Sequence, residues 1–416
     1  MFAKTFLTTL IFIAFCGCQQ NIQTDNIKFG LDVLVDSNIN LLQGKRIGVI
    51  TNQTGVNTEG KHIVDLLFQA DGVELVALFG PEHGIRGNIE GGFKIDTQVD
   101  NKTGVPILSL YGKTKKPTPE MLENIDLLIF DIQDIGTRFY TYISTMSVAM
   151  EAAAENNIPF MVLDRPNPIM GAIVEGPVLE EGFESFVGIH KIALRHGMTI
   201  GELAVLFNEE KFLANGIKAD LTVVKLENWK RNHYYNEFGI EWIKPSPNIP
   251  DIETAFLYPG IGLLEATIVS EGRGTTRPFK NIGAPWLNNV TLLHKLQLLK
   301  FEGISVDTTS YVPVDMPGIA MNPKFEGQKC FGLQLSITDP YEFQSAAFGI
   351  NLICLIKKLH PDRFAWRSER GIDIMSGTDK FRKAVDSGKT AEQILKILHQ
   401  DVLEFKELRE KYLLYE

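Results

Sequence analysis

From residue 45 onward, short apolar runs alternate with stretches of helical periodicity. The pattern predicts strands at 45–51, 73–79, 105–110, 125–131 and 159–164, with helices at 62–70 and 137–156. Strands alternating with helices are the mark of a parallel α/β sheet. The near-continuous apolar run 127–130 implies burial on both faces, as in a doubly wound sheet. Such sheets bind ligands beyond the carboxyl ends of their strands. The segments expected there are Gly80-Pro81-Glu82-His83-Gly84-Ile85-Arg86-Gly87, residues 109–112, Gln133-Asp134-Ile135-Gly136-Thr137-Arg138-Phe139-Tyr140 and Arg165-Pro166-Asn167-Pro168.

A second region starts between about residues 185 and 215, where Thr199-Ile200-Gly201-Glu202 forms a capping box ahead of an apolar helix. Three prolines in Pro245-Ser246-Pro247-Asn248-Ile249-Pro250 exclude a helix or central strand there. The expected division is a catalytic domain over 28–200 and a C-terminal α/β domain over 201–416, the latter with amphipathic helices at 344–358 and 390–399.

The first residues follow other rules. Lys4 precedes a ten-residue apolar run, 6–15, which is too short to span a bilayer and reads as a secretory signal. Phe15-Cys16-Gly17-Cys18 then resembles a lipobox, giving a signal peptide over 1–17, lipidation at Cys18 and a tether over 18–27. The expectation is an exported protein, lipid-anchored to the bacterial cell envelope and facing the periplasm or the cell surface. With 416 residues, 44% hydrophobic and 22% charged, the chain can bury a large core. Its net charge of −10 argues against a nucleic-acid partner. A homodimer is left open. Cys330 and Cys354 stand alone, without zinc-ligand spacing, as a disulfide or as two buried thiols.

For chemistry, Glu82 stands out: a carboxylate at a strand end, between a proline and glycines, can be desolvated and act as a general acid. A solvated turn cap is the plainer alternative. Asp131 and Glu271 are candidate partner carboxylates, although Asp131 also reads as a helix cap. Arg138 and Arg273 lie among Gly, Thr and aromatic residues and offer forks for a substrate carboxylate, or else internal salt bridges. No dinucleotide fingerprint, phosphate loop, HExxH or GxSxG occurs, so no cofactor is expected, and no metal. A metal site would need His83, His190 and His196 to converge.

Taken together, these motifs resemble the exo-β-N-acetylmuramidase family, the NamZ-type peptidoglycan glycosidases. The likeness runs from Gly48-Val49-Ile50-Thr51-Asn52-Gln53-Thr54-Gly55 through the strand-end segments, Leu163-Asp164-Arg165-Pro166-Asn167-Pro168, Glu175-Gly176-Pro177, Arg195-His196-Gly197-Met198-Thr199 and Pro245–Pro250 to Glu271-Gly272-Arg273-Gly274-Thr275-Thr276. It implies a Rossmann-like domain followed by a smaller α/β domain with the cleft between them. It also implies release of N-acetylmuramic acid from the non-reducing end of peptidoglycan fragments, with Glu82 as acid. The motif residues expected to contact substrate are His83, Arg86, Gln133, Asp134, Arg138, Tyr140, Asp164, Arg165, Asn167, Asn248 and Arg273. An arginine fork would select the free lactyl carboxylate of muramic acid over a peptide-bearing amide. The competing readings are a non-catalytic lipoprotein that delivers muropeptides to an importer, and an amidase or esterase.

Overall fold

The computed structural model describes residues 26–81, 84–86, 98–112 and 114–416, without the side chain of Gln98. The expected signal, Cys18, Glu82 and His83 lie outside the described residues. Twelve strands are present among those described: β1 (Arg46–Thr51), β2 (Glu74–Gly80), β3 (Gln98–Val99), β4 (Pro106–Ser109), β5 (Leu127–Asp131), β6 (Phe160–Leu163), β7 (Glu175–Val178), β8 (Ala193–Arg195), β9 (Leu221–Val224), β10 (Asn281–Ala284), β11 (Ile304–Tyr311) and β12 (Cys330–Ile337).

Seven strands form the main sheet in the order β3-β4-β2-β1-β5-β6-β9. All neighbours pair in parallel except the edge pair β3-β4. The central β5 is buried at every position, as its apolar run requires. The strand order reverses between β1 and β5, which is where a doubly wound sheet opens a crevice. Because β9 pairs with β6, the chain through Val224 belongs with this sheet, beyond the 28–200 range expected. At the other end, Ile27 is already buried and Lys28 bridges Glu227, so the fold begins inside the expected tether.

The second domain carries a three-stranded antiparallel sheet, β10-β12-β11, packed against helices. Its helix Ile252–Ile261 is buried at nine of its ten positions and contains Pro259. That helix crosses helix Ser345–Leu359 at Gly260 and Gly349, where a methyl group on Gly260 would lie 2.0 Å from the Ser345 carbonyl oxygen. Ser345 Oγ accepts from Gly260 N and donates to Leu257 O, compensating the helix bond that a proline disturbs. Cys330 and Cys354 are free thiols, both raised to about 11 by burial. Among the described residues no helix is long and apolar enough to cross a membrane.

Candidate active site

The carboxyl ends of β1, β5 and β6 are covered by a buried polar layer. Arg165 grips Asp131 with two bonds, Nε–Oδ1 at 2.6 Å and Nη2–Oδ2 at 2.9 Å, and both side chains are almost wholly buried. Thr51 donates to Asp131 O, and Gln133 N donates to Thr54 Oγ1. Gln133 Nε2 is held by the carbonyls of Asp134 and Pro166. Asp134 accepts from Gly136 N and contacts His196, while Asn167 bonds Met198 O and Ile169 N. Asp164 accepts from Thr199 Oγ1, Gly201 N and the Tyr415 hydroxyl, and burial pushes its carboxyl up to about 7. These contacts fill the switch-point crevice with the chain's own side chains.

A cavity of about 530 Å³ lies one layer further out, between the two domains. Gly136, at φ +80°, turns the chain after β5 and leads to Phe139, Tyr140 and Tyr142 on one wall. Tyr258 of the second domain meets Phe139 and Tyr140 edge to face, with Phe139–Tyr258 centroids 5.0 Å apart, and is itself met by Phe279 at 4.8 Å. Phe279 adopts φ +58°, which is costly for an aromatic residue and is held by a bond from its N–H to Glu271 O. Across the opening, the strap Gly318–Lys324 is tied to the proline-rich loop by Asn248 Nδ2 donating to Ile319 O at 2.6 Å. Gln53 and Tyr142 bind that loop from the other side, through Lys244 O and Pro245 O.

Charge is concentrated on the second-domain side. Arg273 gives Nε and Nη2 to Glu265 Oε1 at 2.9 and 2.6 Å, and its Nε lies 3.7 Å from Glu271. Lys324 Nζ is engaged three times, by Glu271 Oε2 and the carbonyls of Leu264 and Val269. Burial pushes the Glu265 carboxyl up against the pull of Arg273. Glu271 is placed by its neighbour Ser270, whose backbone pairs reciprocally with Gly283 in β10.

Of the residues expected from sequence, the cavity gathers Tyr140, Asn248, Glu271 and Arg273. Asp131, Gln133, Asp134, Asp164, Arg165 and Asn167 belong to the layer beneath it. Arg138 lies outside: fully buried, it donates to the carbonyls of Pro177, Ile192 and Met375, which is neither the substrate fork nor the salt bridge its sequence context suggested. Arg86 pairs with Asp65 and Asp100, pinning the chain just after residues 82–85 and holding Asp100 down at about 2. The other flank of Glu82 is fixed where β2 meets β4, with Leu110 N bonding Gly80 O next to the cavity residue Tyr111. Glu265, Lys324, Tyr258 and Arg367 are cavity residues that sequence reasoning missed, although Tyr258 and Glu265 stand in one glycine-rich stretch. His190 bonds Ser147 while His196 contacts Asp134, and no cluster of three metal-ligating side chains occurs among the described residues.

A doubly wound domain, a smaller α/β domain and an aromatic, carboxylate-bearing cavity between them form the architecture of a two-domain carbohydrate-active enzyme. Residues 47–253 match the N-terminal region, and residues 256–415 the C-terminal region, of exo-β-N-acetylmuramidase NamZ. The chain is 47% identical, over 95% of its length and 93% of the relative's, to the peptidoglycan β-N-acetylmuramidase NamZ of Bacillus subtilis strain 168. Two crystal structures of DUF1343 family proteins from Bacteroides fragilis NCTC 9343 are also similar. One has a TM-score of 0.87 at 40% identity and the other 0.75 at 36%, each covering 94% of this chain and 99% of the other. The chain belongs to the exo-β-N-acetylmuramidase NamZ family and is a glycoside hydrolase.

Proposed function

We propose that this protein releases N-acetylmuramic acid from the non-reducing end of peptidoglycan fragments, with Glu82 as the general acid. The observation that carries the reading is the interdomain cavity: its volume falls within the roughly 300–1,000 Å³ of small-ligand sites, and aromatic faces line one wall. The strap fastened to Asn248 closes one side, which favours an end-on sugar over the middle of a strand. Glu265 and Glu271 are both bound to cations, so neither is the natural proton donor. Glu82 is then the candidate acid, two residues beyond β2 and between anchored flanks. In this scheme Glu82 protonates the glycosidic oxygen, and Glu271 faces the positive charge that develops at the anomeric carbon.

Glu82→Gln is expected to lower kcat on a chromogenic N-acetylmuramyl glycoside by about 10²–10⁴-fold with little change in thermal stability. Undiminished turnover would remove Glu82 from the role. Export and lipidation at Cys18 are part of the same proposal. Metabolic labelling with a fatty acid should mark the wild type and not Cys18→Ala.

A further inference from the structure

Three cations line the cavity among the described residues, and two of them are matched from within. Arg273 is bound to Glu265 and Lys324 to Glu271, so those four groups cancel pairwise. The third, Arg367, is exposed, and its guanidinium has no hydrogen bond or ion pair to any described residue, while its backbone is firmly placed. Arg367 N donates to Ala266 O and Ile268 N to Ala365 O, with Thr267 bridging Trp366, so the segment runs antiparallel beside Glu265. The described lining therefore carries one uncompensated positive charge at its edge, in a chain whose net charge is −10. An unpaired guanidinium held by a fixed backbone at the rim of a charge-balanced cavity is an anion receptor.

We propose that Arg367 is the specificity residue that receives the substrate's carboxylate, the group that ends the lactyl ether of muramic acid and that N-acetylglucosamine lacks. The assignment rests on the reading of this cavity as the sugar site. It moves the carboxylate fork from Arg138, which is engaged by carbonyls, and from Arg273, which is engaged by Glu265. Rim placement also fits the chemistry, because the lactyl group is where a stem peptide extends and must point outward if peptides are to be accommodated. A stem peptide has carboxylates of its own, so a peptide carboxylate is the alternative source of the same charge.

The test is calorimetric binding to the full protein, with N-acetylmuramic acid, its carboxamide and N-acetylmuramyl-L-alanine as ligands. The wild type should bind the acid about tenfold more tightly than the amide, a charge-assisted contact discounted for exposure. Arg367→Ala should bring that ratio to about one, Arg367→Lys should restore part of it, and Arg367→Glu should invert it. An acid-to-amide ratio unchanged in Arg367→Ala would overturn the assignment. So would a loss confined to the alanyl ligand, which would mark a peptide-carboxylate contact instead. Turnover is read separately: if no muramyl glycoside is cleaved yet the Arg367-dependent ratio stands, the hydrolytic reading fails and the receptor remains.

Discussion

Replacing Arg165 by alanine would leave the Asp131 carboxylate without its cation at a point from which water is excluded. Asp131 is 0% exposed and Arg165 2%, and the two share the 2.6 and 2.9 Å bonds described above. Breaking a buried pair from one side costs about 3–5 kcal/mol, because the remaining charge is uncompensated. The Val56 carbonyl also loses its donor, at 2.9 Å. Against a total stability of roughly 5–15 kcal/mol this is a large fraction. Burial already raises the Asp131 carboxyl above 3.8, and loss of Arg165 pushes it higher. An acid raised in the folded state favours folding at low pH, and that advantage is lost as pH climbs from 3.8 toward the folded value. The variant should therefore be more severely destabilised at pH 8 than at pH 5. Urea denaturation followed by tryptophan fluorescence measures both effects, and Asp131→Asn/Arg165→Leu should recover most of the loss. A loss below about 1 kcal/mol would refute the buried-pair account, and so would an Asp131→Asn variant of normal stability that is catalytically dead, since Asp131 would then be a chemical group.

Arg273→Ala should lower kcat/KM on the muramyl chromogen about 10–100-fold by releasing Glu265, with Arg273→Lys recovering only part because an ammonium cannot fork. Asp164, raised to about 7, stabilises the fold at low pH, and that contribution fades as pH rises from 3.8 toward 7. Tyr415→Phe removes its 2.5 Å partner and should cost about 1–2 kcal/mol at pH 8 and less at pH 5, read from melting curves. Gly260→Ala drives a methyl group into the Ser345 and Gly349 backbone and should cost about 3 kcal/mol, checked by denaturant midpoint.

The strands read most accurately from sequence were the five apolar runs of the parallel sheet that alternate with helices or turns. Expected 45–51, 73–79, 105–110, 125–131 and 159–164 differ from β1, β2, β4, β5 and β6 by no more than two residues at either end. The helix expected at 137–156 runs from Tyr142 to Glu155, because residues 137–141 form the turn that aims Phe139 and Tyr140 at the cavity. β11 escaped notice because its residues, ISVDTTSY, are half-exposed and largely polar. Within the site, Glu271 and Arg273 were visible through their glycine-rich loop, whereas Lys324 lies on a distant strap and meets Glu271 only in the fold. Arg138 misled for a physical reason: glycine, threonine and aromatic neighbours mark any arginine that is about to be buried, whether its partners are a ligand or main-chain carbonyls.

The polar layer explains why most of the strand-end residues lie beneath the cavity rather than on its walls. In an open doubly wound sheet the switch point is a crevice for a ligand. Here Thr51, Asp131 and Arg165 close it, and their bonds turn it into a rigid floor. The open cavity lies further out, where Phe139 and Tyr140 meet Tyr258, so that each domain contributes one wall. A site divided in this way depends on the apposition of the two halves, which the Gln53, Tyr142 and Asn248 contacts to loop and strap enforce. With the cavity as the proposed sugar site, residues of the floor are expected to govern activity through stability and position, and residues of the walls through contact with the sugar. The distinction predicts which substitutions change melting temperature and activity together, and which change activity alone.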